Sequence, residues 1–350
     1  MNLLFLPNQL KDVREVLHSL DWQALGSEVE QELQSRLVIV GPVNSGKSTL
    51  FNRLHGHRLS AVSAVPGTTK GVVEHPLGPF LLVDTPGYGE VWGVDRADTA
   101  NRAASTADLI ILLLDAVAGV RQSDHDLYDQ LQQQAAPVLV VLNKADLVKR
   151  DLPWILENTK KLMGVHPIVI SAETGMGVVD ALIPAILDTQ PPVALAMARS
   201  LPGVRKQIVN RVIRRAAWTN AMIALQPVPG LDIPVLLTSQ TRMVLRIGAA
   251  YGESMSTSHA RELLTTMAGS LATRYLAGQL AKFIPGPGWL VSAALAAFTT
   301  WSIGQAAHQY FMAGATLNPP DLRALYQRMR KLAPRQLLRR DKPPAAPETP

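Results

Sequence analysis

Apolar positions between residues 8 and 33 recur at three- and four-residue spacing, at Leu10, Val13, Val16, Leu17, Leu20, Leu25, Val29 and Leu33, with charged residues between them. That period predicts an amphipathic helix that packs on the downstream domain. The pattern then changes. Short, continuous, β-branched runs stand at Leu37–Val40, Phe80–Val83, Leu109–Leu114, Val138–Leu142 and Pro167–Ile170, each followed by a loop with Gly, Pro, Asp or Asn. Unbroken apolar runs suit strands buried on both faces, and longer helical patterns lie between them. The fold class expected is therefore α/β, a mostly parallel sheet covered by helices and followed by an all-α domain. Sheets of this kind bind ligands at the carboxyl ends of their strands.

Near residues 187–204 a Pro pair and a Pro-Gly break in DTQPPVALAMARSLPG mark a boundary. Beyond it, Ala-rich, helix-compatible stretches replace the strand-like runs. The expected division is an amphipathic lead-in (1–33), an α/β domain (34–188), a linker (189–204), an all-helical domain (205–332) and a flexible Pro-rich tail (333–350).

Composition narrows the chemistry only a little. An apolar fraction of 47% is enough for real cores, and a net charge of +6 with pI near 9.6 favours acidic partners such as nucleic acid, anionic lipid or a nucleotide. The absence of cysteine excludes disulfides, thiol nucleophiles and thiolate metal sites. The opening MNLLFLPNQLKDVREV lacks a basic leader and is interrupted at Pro7, so it does not read as a secretory signal peptide.

Residues 41–48, GPVNSGKS, follow the LVIV strand and precede a helix-compatible LFNRLHG. In that strand-loop-helix setting a G-x-x-x-x-G-K-S loop cradles phosphate with backbone N–H groups and the positive end of a helix. Asn44, Ser45, Gly46, Lys47, Ser48 and Thr49 are the expected contacts. Lys47 would sit against the β and γ phosphates, and the Ser48 hydroxyl would reach a Mg²⁺ ion. Asp84-Thr85-Pro86-Gly87 ends the strand FLLV. Asp84 is expected to hold the Mg²⁺ shell, and the Gly87 N–H to meet the γ-phosphate. Between them lie Thr68 and Thr69, of which Thr69 is the first choice to complete the Mg²⁺ sphere.

Asn143-Lys144-Ala145-Asp146 follows the run VLVVL. The Asp146 carboxylate can accept hydrogen bonds from both N1–H and the exocyclic amine of guanine, a pair that adenine does not offer. Asn143 is expected to bridge neighbouring loops and the base edge, and Lys144 to lay its stem over the ring. After the run IVI, Ser171, Ala172 and Glu173 can turn a backbone N–H toward the guanine carbonyl oxygen. The substrate expected is GTP.

With these elements in order, residues 34–188 resemble the translation-factor-related class of P-loop GTPases, and within it the bacterial branch containing Era and the tRNA-modification GTPase TrmE. The resemblance implies hydrolysis of GTP to GDP and phosphate, with motifs at 41–48, Thr68 and Thr69, 84–87, 143–146 and 171–173. It also implies that Asn44 helps hold a K⁺ ion, with Ser63–Thr69 completing the cation site. Tyr88 stands where many regulatory GTPases carry a water-positioning glutamine, which implies slow turnover unless an activator, a cation or a dimer partner meeting through the switch regions assists. Tyr88 and Trp92 suggest a mobile segment with apolar handles or cover for the sheet edge. Asp95, Arg96 and Asp98 read as solvated charges, and His55 and His57 as surface or packing residues.

In the second half, Arg205, Lys206, Arg211, Arg214 and Arg215 share a helical stretch with Val204, Ile208, Val209, Val212 and Ile213, which reads as an interdomain helix or a contact for anionic lipid. No charged residue occurs between Phe283 and Pro320, and Trp289–Gly314 would form a helix about 39 Å long, enough to cross a bilayer core. Gln305, His308, Gln309 and abundant alanine suit a soluble bundle equally. The segments IPVLLTSQTRMVLRIGAAYG and KFIPGPGWLVSAALAAFTTWSIGQAAHQYF resemble a helical domain of the YcjF family of bacterial membrane-associated proteins. That likeness favours a membrane; the location expected is the cytoplasm or the cytoplasmic face of the membrane, with integral insertion left open, and an anionic lipid or membrane protein is an expected partner. Nucleic acid stays open as a partner. Gly248, Gly252, Gly286 and Gly288 read as close-packing or turn positions.

Overall fold

The computed structural model describes residues 15–55, 75–77, 80–85, 104–225, 232–253, 259–266, 277, 288–316 and 319–337. Thr68, Thr69, Gly87, Tyr88, Trp92, Asp95, Arg96, Asp98, His57 and Gly286 lie outside them, as does the cation-site segment Ser63–Thr69. The chain divides into two compact units, one of residues 32–208 and the other of the described residues up to Gln31 together with those from Val209 onward.

The first unit is a six-stranded sheet in the order β2-β3-β1-β4-β5-β6. Its strands are β1 (Leu37–Pro42), β2 (His75–Leu77), β3 (Phe80–Thr85), β4 (Leu109–Asp115), β5 (Val138–Asn143) and β6 (Ile168–Val169). All neighbouring pairs are parallel except β2 with β3. The five apolar runs are thus the five parallel strands, and β1 and β4 are buried along nearly their whole length because both of their faces are covered. The short β2 was not foreseen. It contains Pro76, which a sheet tolerates at an edge because no ladder donor is needed there. Val38, Val40, Ile110, Leu112 and Leu114 form the core with Tyr128 and Leu131 of α3. The helices of this unit are α2 (Lys47–His55), α3 (Gln122–Gln132), α4 (Leu152–Met163), α5 (Ile183–Thr189) and α6 (Pro191–Ser200), after α1 (Trp22–Glu32).

Residues 189–204, expected as a linker, hold α6 and the start of α7 (Pro202–Ala224). The prolines that suggested a break occupy first-turn positions, where the missing N–H costs nothing, and Val193 through Ala198 are buried. Arg205 Nε and Nη2 donate to the Ala198 and Arg199 carbonyls at 2.9 and 3.0 Å, which satisfies the end of α6.

The second unit is helical, with the later turns of α7, then α8 (Asp232–Ala250), α9 (Gly288–Met312) and α10 (Pro319–Leu337). α10 runs past Ala333, where the tail was expected to begin. The lead-in is interrupted at Leu20 and Asp21, and α1 belongs with this unit: Arg242 of α8 reaches the Glu28 carboxylate at 2.8 Å, and Trp22 donates to the Leu17 carbonyl. Asn220 and Gln240 both donate to the Thr300 hydroxyl, at 2.9 and 3.0 Å, in a fully buried layer joining α7, α8 and α9. Gln305 donates to Asn210, and His308 packs on Tyr251.

α9 is, among the described residues, the one helix long and apolar enough to cross a membrane by length and composition, and 61% of its apolar stretch is buried inside the protein. Thr300, Gln305 and Gln309 meet neighbouring helices, and its exposed large apolar side chains are Trp289, Leu290 and Val291 in the first turn and Met312 at the end. Gly248 lies against the Phe311 ring, and Gly252 has a φ of +81° in a turn, in line with the roles read from sequence. Gly304 was not singled out, yet an added Cβ there would lie 2.7 Å from the buried, β-branched Ile213. Replacing Gly304 with Ala should therefore lower the stability of the helical unit by about 1–3 kcal/mol, read as an earlier urea midpoint by circular dichroism.

Candidate functional site

The expected chemistry collects where the strands end. Gly41 pairs with Asp84 and Asp115 with Asn143, so β1, β3, β4 and β5 deliver these residues to one edge of the sheet. After β1 the chain turns through Asn44, a non-glycine residue with φ of 65°, and Gly46, with φ of 96°. Ser45 N–H donates to the Pro42 carbonyl at 3.1 Å, and α2 begins at Lys47. Gly41 and Gly46 have no room for a side chain. A Cβ would strike the Leu113 carbonyl in the first case and the Asn143 side-chain nitrogen in the second.

Lys47 is buried, and its ammonium donates to the Gly41 and Pro42 carbonyls at 2.8 and 2.7 Å. This holds a cation inside the loop, beside the N-terminus of α2, where an anion is favoured. Ser48 is exposed at the first turn, and Thr49 is half-buried. Oxygen donors in such a place suit Mg²⁺, which takes one or two protein ligands and fills its octahedron with phosphate oxygens and water. Asn44 is exposed and also offers an oxygen. His55 packs on Phe51, with ring centroids 6.1 Å apart.

Asn143 joins three loops. Its buried Nδ2 donates to the Ser45 carbonyl at 2.8 Å, while its Oδ1 accepts from the Ala172 N–H at 2.9 Å. A carbonyl on one side and an N–H on the other leave only one orientation for the amide. The next residue, Lys144, takes a left-handed backbone with φ of 63°, and Ala145 N–H bonds to the Ile170 carbonyl at 3.2 Å. Lys144 Nζ donates to Asp115 Oδ2 at 2.6 Å, and Asp115 Oδ1 accepts from the Val117 N–H at 2.8 Å. Asp146 is half-buried, whereas Ser171 and Ala172 are buried. The described part of the site thus gathers 44–49, 143–146, 171 and 172, with the Asp84 backbone beside Gly41.

Two residues escaped the sequence reading. Asp115 ends β4 and grips Lys144; its signal was a lone carboxylate at a strand tip, which belongs to no familiar pattern. Arg53, on α2, donates through Nε to the Ala172 carbonyl at 2.9 Å.

Residues 36–144 match the family described as 50S ribosome-binding GTPase, and residues 193–335 match a domain of unknown function, DUF697. GTPase Der of Desulforudis audaxviator is 34% identical over 207 residues, covering 57% of this chain and 46% of that protein. The tRNA modification GTPase MnmE of Trichormus variabilis is 32% identical over 203 residues, covering 55% of this chain and 41% of that protein. The chain thus spans less than half the length of these two relatives. Among solved structures, Aquifex aeolicus Era bound to GDP·AlF4⁻ is 31% identical over 54% of this chain and 67% of that one, with a TM-score of 0.35. The first half of the chain is a P-loop GTPase domain. It belongs to the superfamily that includes Era, TrmE and Der, and a distinct helical domain of the DUF697 type comes after it. The narrower Era and TrmE branch expected from the motifs is not singled out, since Der proteins match as well.

Replacing Asn143 with Ala would leave the Ser45 carbonyl and the Ala172 N–H buried without this partner, at about 1–3 kcal/mol each. The variant should show an earlier urea midpoint for the α/β unit, followed by tryptophan fluorescence.

Proposed function

We propose that the α/β unit binds Mg²⁺·GTP and hydrolyses it to GDP and phosphate, and that the bound nucleotide switches the helical module between states. The observation that supports this best is the amide of Asn143, which holds the phosphate loop and the 171–173 loop together at the strand ends, beside Lys144 and Asp146. Asp146 reads N1–H and the exocyclic amine of guanine, Lys144 covers the ring plane, and the 171–173 loop meets the carbonyl oxygen. Ser45, Gly46, Lys47, Ser48 and Thr49 take the phosphates.

Ser48, Thr69 and Asp84 would hold Mg²⁺, which neutralises charge on phosphate oxygens when bound. Asn44 would face a K⁺ ion that adds to this charge. Lys47 stabilises the negative charge that develops as water attacks the γ-phosphate in line, the Gly87 N–H supports the same phosphate, and no side chain is needed as a general base. With Tyr88 in place of a glutamine, unaided turnover is slow.

Asp146→Asn should weaken the preference for GTP over ATP in a competition assay, because an acceptor facing two donors becomes a partial donor; undiminished guanine preference would refute the base site. Lys47→Ala should lose most nucleotide affinity and turnover. Initial rates should be higher in KCl than in NaCl at matched ionic strength, and equal rates would dismiss the potassium site.

A second reading, favoured by the apolar first turn of α9, is a membrane-organising role in which turnover is secondary. Flotation with anionic liposomes in GDP and in a non-hydrolysable GTP analogue separates the two. Nucleotide-sensitive binding fits the switch, nucleotide-blind binding fits the anchor, and no binding turns attention to RNA, a ribosomal particle or a second copy of the chain.

A further inference from the structure

Arg53 lies on α2 six residues beyond Lys47 and takes no part in the phosphate pattern. Its Nε–H nevertheless donates to the Ala172 carbonyl at 2.9 Å, across 119 positions of chain. Ala172 is held from its other side too, where its N–H donates to Asn143 Oδ1. The succeeding loop is closed on itself. Gly175 N–H bonds to the Ser171 carbonyl and Ser171 N–H to the Met176 carbonyl, both at 2.8 Å, and Thr174 N–H bonds to Ser171 Oγ at 3.1 Å. A Cβ on Gly175 would sit 3.7 Å from the Arg53 side chain, so the arginine lies along this turn. The loop is one piece, tied to α2 through Arg53.

The carbonyl of Ala172 and the N–H of Glu173 belong to one planar, trans peptide unit and point in opposite directions. Fixing the carbonyl on Arg53 therefore aims the Glu173 N–H away from α2, and a charged donor on the oxygen polarises that N–H toward a stronger bond. We propose that Arg53 is a positioning residue for guanine recognition. It aims the Glu173 N–H at the 6-carbonyl oxygen of the base and so slows nucleotide release, joining the phosphate-binding helix to the base-reading loop. This rests on the guanine site proposed above.

Two substitutions separate the hydrogen bond from the stem. Arg53→Gln puts a side-chain N–H the same number of bonds from the backbone as the arginine Nε, whereas Arg53→Met keeps the stem and removes the donor. Release of methylanthraniloyl-GDP from the full chain, chased with unlabelled GDP, should be about five- to tenfold faster in Arg53→Met and close to the parent rate in Arg53→Gln. The diphosphate of 2-aminopurine riboside, which lacks the 6-oxygen and with it the N1 proton that Asp146 reads, binds more weakly throughout, but in competition it should give equal affinities for the parent and for Arg53→Met. A parent-like release rate in Arg53→Met overturns the proposal, as does equally fast release from both variants. So does an equal loss for the 2-aminopurine nucleotide, which would mean general loosening of the site. Asp146→Asn in the GTP/ATP competition assay distinguishes the two levels. If it leaves guanine preference intact, the base site itself is wrong; if it abolishes that preference while Arg53→Met changes nothing, only the role of Arg53 fails.

Discussion

One buried amide organises the α/β unit's edge. The side chain of Asn143 donates to the loop after β1 and accepts from the loop after β6, at 2.8 and 2.9 Å, and neither bond is exposed to water. Buried polar groups that are fully paired rigidify their surroundings, and losing one partner strands the other at a cost larger than the bond's net worth. The surrounding residues answer to this constraint. Gly46 has no side chain because one would collide with the Asn143 nitrogen, and Lys144 adopts a left-handed backbone as the chain leaves the strand. The result is a loop after β1 and a loop after β6 whose separation is fixed by one side chain.

The helical unit solves a different problem. α9 carries no charge along its length, and its apolar residues face every direction, so it can be buried all round or placed in lipid. Its polar side chains decide how it fits the bundle. Thr300 accepts from Asn220 and Gln240, Gln305 reaches Asn210, and Gln309 reaches the sulfur of Met329. Each such pair specifies a register between helices that uniform apolar contact would leave loose. Gly304 lets Ile213 approach closely at the same crossing. The first turn of α9 stays apolar and exposed, as do Trp218 and Met222 of α7, Val235 of α8 and Met312 at the end of α9, and the packing within the unit leaves these side chains uncovered.

Much of this was legible in the chain. Continuous apolar runs named the five parallel strands because burial on both faces removes the polar alternation, and GPVNSGKS and NKAD fell at strand ends because that is where the backbone turns toward a ligand. Other features were not legible: the prolines at 191, 192 and 202 begin helices, and the lead-in helix α1 makes its ion pair, Glu28 with Arg242, within the helical unit. Local composition carries backbone preference but not the identity of a distant partner.

The sequence by itself determined the class of domain, the order of the strands' runs and the residue types on which the proposed guanine-nucleotide site rests, since phosphate and base chemistry demand particular side chains at short spacings. Only the tertiary structure decided that Asp115 grips Lys144, that Arg53 holds Ala172 across 119 positions, and that one amide serves two loops. These contacts join residues far apart in the chain, and their geometry exists only after the sheet has assembled and brought the loops to one edge.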